Sequence, residues 1–320
     1  MQQINRRGML ASAGGALMAL SATGAIAARR RPFFQRIGKP IGLQIYTLGN
    51  EAARDIDATF AQVAAIGYRT IELPGLLGKQ PAELAIAAAR AGLKIVSLHL
   101  PLLAMGGPAG LSLASEVSRI SDAMGALGAR WAVAPIALIP GGFRPRAGET
   151  MEVAISRAIA EGGVDIWKQT ADRLNRKAAE LKPLGIRVGY HNHNLEFAPI
   201  GETNGWNILW QETDPGLVSF EVDLGWVAAA GLDPVRFLET TRGRVRLLHV
   251  KDVAAGNAPD FRIGMKPAEV GSGTLDWARI LPAAHRAGVE HYLVEQEPPF
   301  TIPRIEAATR SFRYLEALQA

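Results

Sequence analysis

The stretch Val245-Arg246-Leu247-Leu248-His249-Val250-Lys251-Asp252 is a short, β-rich apolar run that ends in an imidazole, an ammonium and a carboxylate. Three other segments in the same half of the chain end in the same manner: Arg187-Val188-Gly189-Tyr190-His191-Asn192-His193, Val218-Ser219-Phe220-Glu221-Val222-Asp223 and Tyr292-Leu293-Val294-Glu295-Gln296-Glu297. Burying such groups among apolar residues is costly unless something pairs with them. One divalent cation would pair with all four sets if the four strands end at one place. The runs are mostly continuous rather than alternating, as parallel strands covered by helices should be.

Outward from these segments, strands are expected at 41–46, 68–73, 94–99, 130–135, 186–191, 217–223, 244–250 and 290–296. Helices are expected at 56–66, 81–91, 112–127, 152–182, 204–212, 233–242, 275–287 and 303–318. Gly67, Gly92, Gly128, Gly185 and Gly288 stand between a helix and the next strand, where a helix commonly terminates on glycine. Eight β–α units predict a (β/α)8 TIM barrel, one domain over residues 40–320. A doubly wound open sheet is the alternative, but no G-x-G-x-x-G follows the first strand, which weakens its dinucleotide-binding version.

Composition narrows the function. With 48% hydrophobic and 20% charged residues the body reads as a soluble globular protein. No cysteine is present, so disulfides, thiolate metal sites and cysteine nucleophiles are excluded. The net charge of +5 is local. Arg6, Arg7, Arg29, Arg30 and Arg31 face no acid within residues 1–31, and removing them leaves 30 basic and 30 acidic residues. The body therefore carries no field that attracts polyanions, and no nucleic-acid partner is expected. Asn5-Arg6-Arg7-Gly8-Met9-Leu10 has the form of a twin-arginine signal, followed by an apolar stretch to Ala22 and an A-x-A site at Ala25-Ile26-Ala27. Residues 1–27 are thus read as a signal peptide, with 28–39 as a flexible lead-in. The expected partner is the twin-arginine export machinery and the expected location the periplasm. The apolar run is too short and too rich in Ala and Gly for a stable membrane anchor.

Residues two apart in a strand face the same way. His191 with His193, Glu221 with Asp223, His249 with Lys251 and Glu295 with Glu297 therefore form same-face pairs. Glu72 ends the second strand, His99 ends the third, and Gln44 shares a face with Tyr46 on the first. Three Gly- and Pro-rich loops, Leu103–Gly110, Ile139–Glu149 and Ala254–Gly273, follow strand C-termini, the face that carries active sites in this architecture. Arg144, Arg146 and Arg262 on these loops are candidates for contact with an anionic substrate, or are solvated.

The motifs Ile66-Gly67-Tyr68-Arg69-Thr70-Ile71-Glu72, Gly189-Tyr190-His191-Asn192-His193, Asp223-Leu224-Gly225-Trp226, Leu248-His249-Val250-Lys251-Asp252, Glu269–Asp276 and Val294-Glu295-Gln296 follow one another in an order that resembles the sugar phosphate isomerase/epimerase superfamily, the xylose-isomerase-like barrels. The resemblance covers residues 40–318. It implies a metal held by the ends of strands 5 to 8, with Asp223, His249 and Glu295 at the ligand positions of strands 6, 7 and 8. The strand 5 ligand of the epimerases is a glutamate, and that position falls on His191 here; His193 and Glu196 are the other candidates. In those epimerases the strand 5 and strand 8 glutamates are also the acid–base pair, so a histidine at the former departs from a symmetric two-carboxylate mechanism. Trp226 stands where many relatives have histidine, which argues against a multi-metal nuclease site.

The cofactor implied is one divalent metal ion, with Mn²⁺ preferred and Mg²⁺, Co²⁺, Fe²⁺ or Zn²⁺ as alternatives for a carboxylate and imidazole set without sulfur. Lewis acidity toward a sugar carbonyl would steady the enediolate left when the α-proton departs. Glu295, Lys251, His193 and Glu72 are the candidate acid–base residues, and His99, Gln44 and Trp226 the candidate substrate contacts. The expected activity is isomerisation or epimerisation of a sugar, keto-sugar or cyclitol. The alternatives are a lyase or dehydratase at the same site and a non-catalytic periplasmic carbohydrate-binding barrel.

Overall fold

A computed structural model of the chain describes residues 31–104 and 110–320. The expected signal peptide lies outside these residues, as do 105–109 of the first mouth loop. Eight strands run in chain order around a closed parallel barrel: β1 (Ile41–Gln44), β2 (Thr70–Leu73), β3 (Lys94–His99), β4 (Trp131–Ala134), β5 (Arg187–His191), β6 (Val218–Asp223), β7 (Val245–Val250) and β8 (His291–Val294). Closure comes from β8 pairing with β1, with Ile41 opposite Tyr292 and Leu43 opposite Val294. That pairing excludes the open sheet. Two antiparallel ribbons, Pro199–Ile200 with Thr203–Asn204 and Asp252–Val253 with Pro267–Ala268, lie outside the barrel sheet.

The covering helices form where the sequence supplies caps. Asp55, Asn204, Asp233 and Asp276 each accept a backbone N–H in the first turn of a helix, satisfying groups that have no intrahelical partner. Gly92, Gly128, Gly185 and Gly288 close their segments in the left-handed conformation. The main apolar core lies between helices and sheet, and a second cluster, Val96, Trp131, Val133, Leu247 and Leu293, is separate from it. Leu247 shares a pleat face with His249, and Leu293 with Glu295, so this cluster fills the lumen beneath the strand ends.

The structure departs from the sequence reading at four places, each with a local cause. The helix expected at 152–182 is two, Met151–Glu161 and Gly163–Leu181, because Gly163 takes φ +56° at the junction. The helix expected from 112 begins at Val117, since the Ser112 hydroxyl accepts from Ala114 N and Ser115 Oγ accepts from Ser112 N, giving the backbone a turn instead. β1 stops at Gln44, whose side chain caps a 3-10 turn over Ile45–Leu48, so Gln44 and Tyr46 do not share a strand face. The lead-in read as flexible contains a helix, Phe33–Ile37, anchored by two buried phenylalanines that meet the Tyr292 ring edge-on. Among the described residues no helix is long and apolar enough to cross a membrane.

Two register shifts shape the mouth of the barrel. β2 and β3 slip between Ile71 and Glu72, and β6 and β7 slip between Phe220 and Glu221. The extra residue is on the partner strand at each place, Val96 in β3 and Arg246 in β7, and the residue just past the slip on the facing strand is Glu72 or Glu221, both part of the mouth cluster.

Candidate metal centre and active site

The strand ends converge as the sequence required. His191, Asp223, His249 and Glu295 each offer one ligand atom, and these atoms all lie within 4.8 Å of one another. A second set, His99, His191, Glu221 and His249, meets the same limit and shares two imidazoles with the first. All six residues are buried. His191 is thus the strand 5 member. Glu196 is turned elsewhere: it accepts from the Tyr190 hydroxyl at 2.6 Å and from the His193 backbone N–H at 2.9 Å.

The two sets are not equivalent. In the deeper one the polar atoms largely satisfy each other. His99 Nε2 is 2.9 Å from Glu221 Oε2 and 3.1 Å from Glu72 Oε1, and His249 Nε2 is 2.7 Å from Glu72 Oε1. In the outer one Lys251 stands as the resident cation, with Nζ 2.8 Å from Asp223 Oδ2, 2.8 Å from Glu295 Oε2 and 2.6 Å from Glu297 Oε1. His249 Nδ1 reaches Glu295 Oε2 at 2.9 Å. His191 Nδ1, common to both sets, is buried without a hydrogen-bond partner, and so is Glu221 Oε1 in the deeper set. An unpartnered imidazole nitrogen among carboxylates, in a nitrogen and oxygen set without sulfur, fits a divalent cation, and at the outer position Lys251 already holds positive charge against Asp223 and Glu295.

Electrostatics follow from this packing. Burial disfavours the charged form of His99, but Glu72 and Glu221 outweigh it and push the imidazole up to about 10. Burial likewise opposes charge on His249, and Glu221, Glu295 and Glu72 raise it well above its ordinary value. Glu295 is driven up by burial yet held far below the usual carboxylate range by Lys251 and His249. Burial and the neighbouring Glu72 carboxylate raise Glu221 to about 7. His193, buried and facing Lys251, drops to about 3 and is therefore neutral.

A cleft of about 300 Å³ opens above the outer set, lined by Tyr46, His99, His191, His193, Glu295 and Glu297 on one side and by Ile136, Ile139, Ile155 and Ile263 on another. The loop over 254–273 is clamped to the barrel: Asn194 donates to the carbonyls of Asp260 and Arg262, and the Ser156 hydroxyl accepts from Ile263 N.

Several expected residues occupy other positions. Trp226 is 1% exposed; its ring lies 4.8 Å under the Lys251 ammonium and 5.3 Å from the His193 ring, so it packs behind the site and does not line the cleft. Gln44 is sealed and donates to Glu72 at 2.7 Å. Glu72 is also sealed, binding His99 and His249 from below instead of meeting a substrate proton. Lys251, expected as a base, is fully buried, and although burial opposes its charge, Asp223, Glu295 and Glu297 hold it well above its ordinary value as an ammonium. Arg146 and Arg262 are exposed and paired with Glu161 and Asp260. Glu221 and Glu297 lie on the face that the sequence predicts, but their roles in the cluster are visible only in the structure. The signal for Glu221 is its spacing of two from Asp223, which puts both on one face of the same strand.

The profile of the xylose isomerase-like TIM barrel family matches residues 60–318. The chain belongs to that family. Among solved structures, a sugar phosphate isomerase/epimerase from Parabacteroides distasonis superposes with a TM-score of 0.65 at 25% identity, covering 92% of this chain and 98% of that one. The 3-keto-D-glucoside 4-epimerase of E. coli superposes with a TM-score of 0.59 at 17% identity, over 87% of this chain and 98% of that one, a likeness of fold. Among curated proteins, an inosose dehydratase from Lacticaseibacillus casei is 27% identical over 166 residues, 48% of this chain and 55% of the relative. The chain spans about half the length of the curated relatives it matches.

Proposed function

We propose that the protein is a divalent-cation-dependent enzyme that removes a proton adjacent to the carbonyl of a keto-sugar or cyclitol, and that His191, Asp223, His249 and Glu295 hold the cation. The observation that carries this reading is the convergence of those four donors beside a cleft that His191 and Glu295 line, with His191 Nδ1 buried and otherwise unsatisfied. When bound, the cation supplies Lewis acidity that stabilises negative charge growing on a carbonyl oxygen. The chain's own residues do the rest. Lys251 fixes the orientation of Asp223 and Glu295. Glu72 and Glu221 hold His99 and His249 from beneath. His99 reaches the cleft as a protonated donor able to hydrogen-bond a sugar oxygen.

Of the three carboxylates that line the cleft, Glu152, Glu295 and Glu297, the last two stand beside Lys251 at the proposed ligand set and can take the α-proton. Burial raises Glu297 even with Lys251 beside it, which brings it closer to working pH than Glu295. His193, neutral, with its Nδ1 unpartnered, is placed to return a proton or to orient a hydroxyl. Reprotonation at a second position gives isomerisation or epimerisation. The second reading, loss of a β-hydroxyl as water, is favoured by the recurrence of inosose dehydratases among the curated relatives.

Solvent-deuterium exchange into a panel of keto-sugars and inososes tests the proposal. Exchange should be abolished by chelator and restored by Mn²⁺, and the product mass separates isomerisation from dehydration. Absence of exchange in a metal-loaded sample across the panel would overturn it. The reading includes export through the twin-arginine route on the strength of Arg6 and Arg7. Changing both to lysine should leave the full-length protein in the cytoplasmic fraction, and unchanged fractionation would remove that element alone.

A further inference from the structure

A second cavity of about 470 Å³ adjoins the cleft and shares Ile136, Ile139 and Ile155 with it as a common wall. Leu102, Leu103, Ala137, Phe143 and Met151 line the remainder, and the one ionisable lining residue is Arg144, whose guanidinium donates to the carbonyl of Phe143. The first cleft, by contrast, is lined by three histidines and three glutamates as well as by its isoleucines.

A separate observation points the same way. Among the described residues the large apolar side chains left exposed include Tyr46, Leu103, Met151 and Phe261, all on segments that follow strand C-termini at the mouth. Exposed apolar residues that line one cavity together mark a binding surface more than singly scattered ones do. Leu103 and Met151 belong to the second cavity itself.

We infer that this cavity is an aglycone subsite, so that the substrate is a glycoside or other conjugate whose sugar ring sits over the polar floor while an apolar, aryl-sized substituent lies against Ile136, Ile139, Ile155, Leu103 and Met151. The space is ample: an apolar cavity of roughly 150 Å³ accommodates a benzene ring, and this one is about 470 Å³. The three shared isoleucines put the two compartments side by side at the mouth, so that a single elongated ligand lying across them would reach both. The inference rests on the carbohydrate reading of the first cleft and adds the class of substrate.

Calorimetric titration of the full chain, loaded with Mn²⁺, with 4-nitrophenyl β-D-glucoside and methyl β-D-glucoside tests it. The aryl compound should bind at least about ten-fold tighter, the discrimination that a small apolar group gains in an apolar pocket. The Leu103→Asn/Met151→Asn double variant should lose most of that difference. Equal affinities, no detectable binding of the aryl compound, or a preference unchanged in the double variant would overturn the subsite. Deuterium exchange into unconjugated keto-sugars reads the chemical proposal separately. Exchange without aryl preference removes the subsite alone, and aryl preference without exchange removes the proton-abstraction reading alone.

Discussion

Replacing Lys251 by methionine preserves the stem that packs on Gly225 and Trp226 and deletes the ammonium that Asp223, Glu295 and Glu297 share. All three contacts are at hydrogen-bond distance and Lys251 has no exposed surface. Removing one partner from a buried ionic cluster costs on the order of 3–5 kcal/mol, because the charges left behind stay buried. For a chain of this size a loss near 4 kcal/mol corresponds to a fall in Tm of about 6 °C. The two carboxylates are also proposed cation ligands, so the loss should depend on metal. In chelator the variant should melt about 6 °C below the parent. Mn²⁺ at about a thousand times the Kd adds about 4 kcal/mol to parent and variant alike, so the deficit should narrow to the extent that the variant, with Asp223 and Glu295 released from the ammonium, binds the ion more tightly. Differential scanning calorimetry with and without Mn²⁺ measures both quantities. An unchanged Tm in chelator would refute the ionic network, and an equal deficit under both conditions would refute the sharing of Asp223 and Glu295 between lysine and cation.

Other outcomes arise from neighbouring contacts. A Cβ on Gly225 would stand 2.7 Å from Lys251 Cγ, so Gly225→Ala should lose about 1–3 kcal/mol in denaturant unfolding; a neutral result would mean that the lysine stem is not confined there. Burial raises Glu196 to about 7 in the folded protein from an ordinary value of 4.5. The folded state then keeps a proton that the unfolded chain releases, so stability is greatest below about pH 4.5 and falls as pH rises toward about 7. At 1.36 kcal/mol per unit the loss is on the order of 3 kcal/mol. The Glu196→Gln variant should lack this slope, and parallel stability curves for parent and variant would contradict it. Glu297→Gln should slow deuterium exchange ten-fold or more with metal content unchanged, whereas unaltered exchange would pass the proton-accepting role to Glu295.

The barrel was legible because its signals are local and repeated: apolar runs of strand length, aspartate and asparagine caps, and glycine after helix upon helix. The convergence of Asp223, His249 and Glu295 was legible because parallel strands of a barrel end on one face, so residue type at the strand end is nearly enough. What escaped the sequence was set by tertiary geometry. Lys251 looks like any strand-end lysine until three carboxylates from two other strand ends are known to surround it. Glu72 and Glu221 sit on legible strand faces, but their pairing with His99 and His249 depends on how neighbouring strands are staggered, which a single strand's sequence does not encode. Trp226 follows Asp223 closely in sequence, but the helix capped by Asp223 turns its ring behind the lysine and away from the cleft.

Counting cations per chain in the parent and in Asp223→Asn tests the central claim most directly. Asparagine can still accept from Trp226 N, a bond that Asp223 Oδ1 makes at 3.0 Å, so the helix cap survives while the carboxylate is lost. Titration with Mn²⁺ of protein stripped by chelator should give one tightly held ion for the parent and none for the folded variant. An Asp223→Asn protein that still holds one equivalent with undiminished affinity would contradict the account.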